Sequence, residues 1–553
     1  MGFLNFAVRR AAPALATAGV GAWATITTVN DDWDDYTYMF QGTSAKANEE
    51  PEKIVILGSG WAGLNALRKC AGPGKDIVVV SPRPHFLYTP LLAGSAVGTI
   101  TLRSACEPLR ALVENAATRA TSATFVRADA REIDVNNKTV RATTGEGFTQ
   151  LELSYDKLII AVGAQPNTFG IPGVQEHALF LKEAEDSAKI HAKLLCNLEK
   201  AAALMRHGGS DEHTQQEIDR LLKVFVVGGG PTGVELSAEL ADFVHSDVTM
   251  RYGQDLSDRV KIVLVEAMPR ILAPFDESLA NVAKQHLQSR GVDVRTGVAI
   301  TKVGENEATF APSTPRDATP EQKAAALAQA KTEEGGALIW AAGIGARPLV
   351  QKLAKALGQT DTRGLQVDNT LRVKGADGVY AIGDAALSGY APTAQVAAQQ
   401  GKHIGRAIRD ASDTPFEYKH AGSLCCLGQG NGIAQLATGQ SFNVWDAIGA
   451  PAIGPNGDQR AITGAPAFVL WRSLYWTKLM STNSRLSLAA DWAKSVIAGR
   501  DIVEPVLKRR PTMESFGTSL QRNSTVRFVK EQAEEAAASQ KKKFWVLSSP
   551  RKS

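Results

Sequence analysis

Two stretches of the 553-residue chain share one design: a short apolar run enters a glycine-rich turn and leaves it at helical spacing. The first is KIVIL at 53–57, then Gly58-Ser59-Gly60-Trp61-Ala62-Gly63, then LNALRKC. The second is VFVV at 224–227, then Gly228-Gly229-Gly230-Pro231-Thr232-Gly233, then VELSAEL. Apolar runs of this length read as strands buried on both faces of a parallel sheet. In each turn the first glycine makes the bend, the second lets a pyrophosphate approach the backbone, and the third lets helix and strand pack closely. The phosphates then meet the free N–H groups and positive dipole end of the helix. A dinucleotide site also calls for an acid at the end of the next strand, where it accepts the ribose hydroxyls. KIVLV at 261–265 ends at Glu266, which favours NADH because a carboxylate repels a 2′-phosphate. DIVVV at 76–80 ends at Ser81-Pro82-Arg83 instead, leaving the ribose to Ser81 or the backbone.

A third element follows both turns. VYAIGD at 379–384 is a strand ending in Gly383-Asp384, while AVGAQPN (161–167) and AAGIGARP (341–348) are paired strand–loop segments. This order resembles the two-dinucleotide flavoprotein superfamily. The resemblance implies an α/β fold with two Rossmann-like domains, the FAD domain being interrupted by the NADH domain. It assigns Gly58, Gly60, Gly63 and Asp384, with Ser81, to FAD. It assigns Gly228, Gly230, Gly233, Glu266 and Gly343 to NADH. Five scattered cysteines with no CxxC or CxxxxC pair exclude a disulfide reductase and offer no metal spacing, so no metal is expected.

Two more segments narrow the reading. In PTAQVAAQQGK (392–402), Gln395 and Gln399 are i,i+4 on a helix, so both amides share a face and could reach a quinone carbonyl or the flavin edge. Residues 468–502 alternate aromatic and basic side chains, as in a helix lying in lipid headgroups, with apolar stretches too short to span a bilayer. A helical hairpin that closes the domain, or a dimer interface, is the alternative. With SPRPHFLYTPLLAGSAVGTI (81–100), VGAQPNTFGIPGV (162–174), VVGGGPTGVELSAEL (226–240) and LWRSLYWTKLMS (470–481), these blocks resemble the mitochondrial type II (alternative, rotenone-insensitive) NADH:ubiquinone oxidoreductases. The resemblance spans residues 51–503. It implies non-covalent FAD, oxidation of NADH without proton pumping, two electrons passed to ubiquinone, and peripheral attachment to the mitochondrial inner membrane as a homodimer. It places Thr89 and the following Pro-Leu-Leu along the flavin, and Gln395 and Gln399 along the quinone. Glu183 becomes a candidate proton donor or gate, against an exposed helix-start glutamate. A soluble diaphorase, or an NADH-sensing flavoprotein docked in a respiratory complex, remains the alternative.

The ends differ from the body. No acid precedes Asp31, and Arg9 and Arg10 stand in an Ala-rich leader, the composition of a mitochondrial transit peptide. Residues 505–553 carry eleven Lys or Arg against four Asp or Glu, so within a net charge of +4 the body is mildly acidic, unlike a nucleic-acid binder. The expected division is leader and linker 1–50, FAD domain 51–175 and 365–420, NADH domain 176–364, membrane-associating or dimerisation region 421–504, and a flexible basic tail 505–553.

Overall fold

A computed structural model describes residues 50–503, apart from 146–148, 209–210, 316, 438–451 and 454–458, together with 526–528. The leader and the Lys541–Lys543 cluster lie outside the described residues.

The first half opens with β1 (Glu52–Leu57), which turns at Gly58 into α1 (Trp61–Cys70) and returns as β2 (Lys75–Val80) and, later, β3 (Ser122–Val126). An antiparallel meander of β4 (Asp129–Asp134), β5 (Thr139–Thr144) and β6 (Thr149–Ser154) leads to β7 (Lys157–Ile160). The chain then crosses through β8 (Ala164–Pro166) into the second half, which holds β9 (Leu179–Phe180), α2 (Ala184–His207), β10 (Lys223–Val227), α3 (Pro231–Phe243), β11 (Lys261–Glu266), β12 (Val292–Thr296) and β13 (Ala337–Trp340). It comes back through β14 (Ile344–Ala346) to β15 (Val379–Ala381) and α4 (Ala394–Arg409). Two five-stranded sheets result, ordered β15-β7-β1-β2-β3 and β9-β13-β10-β11-β12, every pairing in both being parallel. The β1 residues Ile54 to Leu57 are completely buried, as a strand covered by helices on both faces must be. The crossing strands β8 and β14 pair antiparallel, Ala164 opposite Ala346 and Pro166 opposite Ile344, so both passes between the halves run through one seam.

Helix α4 lies against α1 at very short range. A Cβ on Gly401 would stand 2.2 Å from the Ala62 carbonyl oxygen, and one on Gly405 2.6 Å from that of Ala66. Small residues one turn apart thus let the helix that follows Asp384 pack directly on the helix of the first glycine turn.

The last part is a four-stranded antiparallel sheet, β16 (Ser423–Gly428), β17 (Asn431–Ala437), β18 (Ala452–Ile453) and β19 (Gln459–Gly464), followed by α5 (Ala465–Lys478) and α6 (Thr482–Ile497). The Ser481 side chain caps α6 at the Ser484 N–H and separates the two helices. Among the described residues no helix is long and apolar enough to cross a membrane. The aromatic–basic segment is less exposed than a headgroup helix: Phe468 and Trp471 are buried, and Arg472 stacks 4.5 Å from the Phe468 ring and 4.7 Å from that of Trp492. The reason is that α5 packs on β17 and β16, whereas the outward apolar residues are Leu486 (63% exposed), Ile497 (85%) and Val503 (71%) on and after α6. In the tail, residues 526–528 form β20 (Val526–Phe528), which adds to the β6 edge of the meander with Arg527 opposite Glu152.

Candidate active site

Each glycine turn separates what the fold needs from what a ligand needs. Gly58 sits at φ +106°, and a Cβ there would come 2.2 Å from the Ala161 carbonyl oxygen; one on Gly63 would come 2.1 Å from that of Gly58. The same holds in the second turn, where a Cβ on Gly233 would meet the Gly228 oxygen at 1.9 Å. The middle glycines differ. Around Gly230 nothing lies within 4 Å, and around Gly60 only an Arg83 guanidinium nitrogen does, at 3.8 Å. No packing demand makes these two residues glycine, whereas close approach of a pyrophosphate would. Both cradles therefore fit a dinucleotide.

The first cradle has no carboxylate on β2. Ser81 is buried there, its hydroxyl 2.9 Å from that of Ser59 and accepting the Arg83 N–H at 3.2 Å. Trp61 donates its indole N–H to the Thr89 hydroxyl at 3.2 Å and meets Tyr88 edge to face at 4.8 Å, fixing the loop before Pro90. Asp384 occupies a tight turn, Gly383–Ala385, where the Gly383 N–H donates to the buried Gln400 side chain at 2.7 Å. In the second cradle Glu266 is aimed back over the turn: its carboxylate accepts the Gly229 N–H at 2.5 Å and the Met268 N–H at 2.7 Å. Gly343, at φ +65°, leaves room for the Phe169 ring, which a Cβ would meet at 2.3 Å.

Gln395 and Gln399 share a face of α4, and both amides are engaged with the segment that leads into β16. Gln395 donates to the Gly422 carbonyl at 2.7 Å and accepts from the Ala421 N–H at 3.2 Å. Gln399 donates to the Lys419 carbonyl at 2.8 Å and accepts the Lys419 N–H at 3.0 Å. Glu183 is the residue before α2, and its carboxylate joins Arg83 at 2.8 Å and Arg347 at 3.2 Å. It belongs to a bridge between halves and is neither a free donor nor a solvated helix end.

Two residues the sequence reading passed over are central. Gln400, next to the glutamine named there, holds the Asp384 turn and donates to Ser388 at 2.9 Å. Glu235, two residues past Gly233, is fully enclosed between α3 and the C-terminal sheet. It accepts the Cys426 N–H at 3.1 Å and the Trp471 indole N–H at 3.0 Å. Burial pushes its carboxyl up to about 8, outweighing those two hydrogen bonds. Glu235 borders a cavity of about 20 Å³ together with Pro90, Leu91, Glu239, Trp471 and Arg472, which is room for one water molecule. The loop after Thr89 thus faces a proton-holding carboxyl across a water-sized space. The nearby thiols of Cys425 and Cys426 are driven upward by burial and are unsuited to nucleophilic work.

Comparison with known proteins places this geometry. The pyridine nucleotide-disulphide oxidoreductase family model matches residues 52–401, and the NDH2 C-terminal domain matches residues 420–501. The chain is 32% identical to the external alternative NADH-ubiquinone oxidoreductase of Yarrowia lipolytica, over 84% of this chain and 83% of that protein. The chain belongs to the alternative NADH-ubiquinone oxidoreductase family. A probable NADH dehydrogenase of Dictyostelium discoideum is 33% identical, covering 82% of this chain and 91% of its own length. The NDH2 structure from Plasmodium falciparum in complex with NADH superposes with a TM-score of 0.69 at 25% identity, covering 82% of this chain and 99% of that one. In family terms, Glu235 and Glu239 come from the oxidoreductase domain, whereas Cys426, Trp471 and Arg472 come from the NDH2 C-terminal domain. The cavity exists only where the two meet.

Proposed function

We propose that this protein is a type II NADH dehydrogenase that binds FAD non-covalently, oxidises NADH and passes two electrons to ubiquinone without pumping protons. The observation that carries the reading is the pair of cradles whose middle glycines face open space, joined to a buried acid beside the Thr89 loop. Gly58, Gly60, Gly63, Ser81, Thr89 and Asp384 hold the flavin, and Gly228, Gly230, Gly233, Glu266 and Gly343 hold NADH. The flavin, when bound, supplies the two-electron relay. The protein's own part is placement and protons. Quinone reduction consumes two electrons and two protons, and NADH brings two electrons with one proton, so one further proton must come from solvent. Glu235 holds a proton at neutral pH, enclosed from bulk water, and can deliver it through the water-sized cavity. Gln395 and Gln399 fix the segment 419–422 against α4 and so shape the entrance for the quinone ring.

The names of the relatives support a mitochondrial setting, and the leader composition agrees with import. The outward Leu486, Ile497 and Val503 suit a surface that dips into one leaflet of the inner membrane. Homodimer formation through the region 421–504, and contact of the basic tail with a respiratory complex, complete the proposal. Stopped-flow absorbance tests it: NADH should bleach the flavin faster than NADPH does, and short-chain ubiquinone should restore it faster than oxygen. Bleaching that persists in the presence of ubiquinone would overturn the reading.

A further inference from the structure

The two residues at the threshold of the second half have opposite charges and reach opposite walls of the first cradle. The Lys182 ammonium lies 3.6 Å from Asp384, the aspartate of the Gly-Asp turn. Glu183 reaches Arg83, whose guanidinium is the side chain standing over Gly60. The same carboxylate holds Arg347, which donates to the Val162 carbonyl at 2.8 Å and so belongs to the seam of crossing strands. The backbone of the dipeptide is itself fixed, because the Asp186 carboxylate accepts the N–H of Lys182 at 3.1 Å and of Glu183 at 2.8 Å. Asp186 sits in the first turn of α2, so this anchor moves with the second half.

We propose that Lys182 and Glu183 form a charged clasp that couples retention of FAD in the first half to the seating of the second half on it. Arg83, two residues past the strand end that lacks an acid, stands beside the place a pyrophosphate would occupy, and Glu183 fixes its direction. Lys182 does the same for Asp384 at the other end of the cleft. Glu183 is therefore a positioning residue, acting through Arg83 and Arg347. Any displacement of the second half separates both ion pairs at once. By linkage, a ligand that steadies one half must then tighten binding in the other.

The inference rests on the reading of the first cradle as the FAD site. Its test is release of FAD from the purified full-length holoenzyme, followed by flavin fluorescence after dilution, alongside thermal unfolding of the same samples. Pairs about a third exposed are individually weak, so Glu183→Gln should speed release by about fivefold with little change in melting. The KM for NADH should rise while kcat holds. In an Arg83→Met background the same change should add less, because only the pair with Arg347 is left to lose. Arg347→Met breaks the triad from the other side and serves if Glu183→Gln does not fold. Equal release from wild type, Glu183→Gln and Arg347→Met overturns the clasp, as does an undiminished Glu183→Gln effect in the Arg83→Met background. A wild-type protein that takes up no FAD overturns the functional reading and the clasp with it.

Discussion

At Glu235 burial away from bulk solvent keeps a carboxylic acid protonated, and this has two separable consequences. The first is kinetic. Glu235→Gln keeps the hydrogen bonds from Cys426 and Trp471 but carries no exchangeable acid, so quinone reoxidation should slow by roughly 10²-fold while reduction by NADH is retained. Stopped-flow traces of the two half-reactions would separate these effects, and the fall in wild-type turnover above pH about 8 should vanish in the variant. The second is thermodynamic. With its titration raised from the ordinary carboxyl range to about 8, the folded state binds more protons than the unfolded state across that window. The stability due to the protonated form is complete below the ordinary carboxyl range and falls as pH rises toward about 8. Relative to wild type, Glu235→Gln should therefore gain in melting temperature across the same interval. Glu266 yields a third expectation. Removing its charge as Glu266→Gln takes away repulsion of a 2′-phosphate, so NADPH relative to NADH should improve about tenfold in kcat/KM.

At the scale of elements, the glycine turns were legible because the reasons for them are local: a strand, three constrained positions and a helix within a dozen residues. The glutamines show where local arithmetic stops. Their i,i+4 spacing identified a shared face correctly, but only the packing of α4 on α1 decides where that face points. One position further, Gln400 is turned onto the Gly383 N–H. Glu235 was unreadable for a different reason. Its burial depends on Cys426 and Trp471, far along the chain, and nothing near VELSAEL announces them. Arg500 makes the same point, having been grouped with membrane-facing cations. Its side chain is in fact only 11% exposed, pairing with Asp247 at 2.9 Å and Glu239 at 3.3 Å, and donating to Thr99 at 2.8 Å. Arg500→Leu should leave those carboxylates unpaired and cost roughly 3–5 kcal/mol, measurable by denaturant unfolding. Between α1 and α4, Gly401→Ala should cost about 1–3 kcal/mol through overpacking and loosen the Asp384 turn, seen as a lower melting temperature together with loss of bound flavin.

Across the whole molecule, the C-terminal region does two jobs with different faces. Its inner face seals the cavity at Glu235, while Leu486 and Ile497 look outward from α6. Changing both to aspartate should weaken binding to vesicles containing anionic lipid by about tenfold or more, with the melting temperature nearly unchanged, because neither side chain supports the core. Sedimentation with vesicles checks this directly, and loss of the fold in place of loss of binding would refute the division of labour.

The seam formed by Ala164–Pro166 and Ile344–Ala346 makes the nicotinamide half a cassette on a single stem. Its entry and exit lie side by side, joined by main-chain hydrogen bonds, with Pro166 at one end of the pairing supplying no N–H. Cuts at these two strands would allow the half to be exchanged between relatives as a unit, provided that Lys182 and Glu183 of the incoming half meet Arg83 and Asp384 of the other.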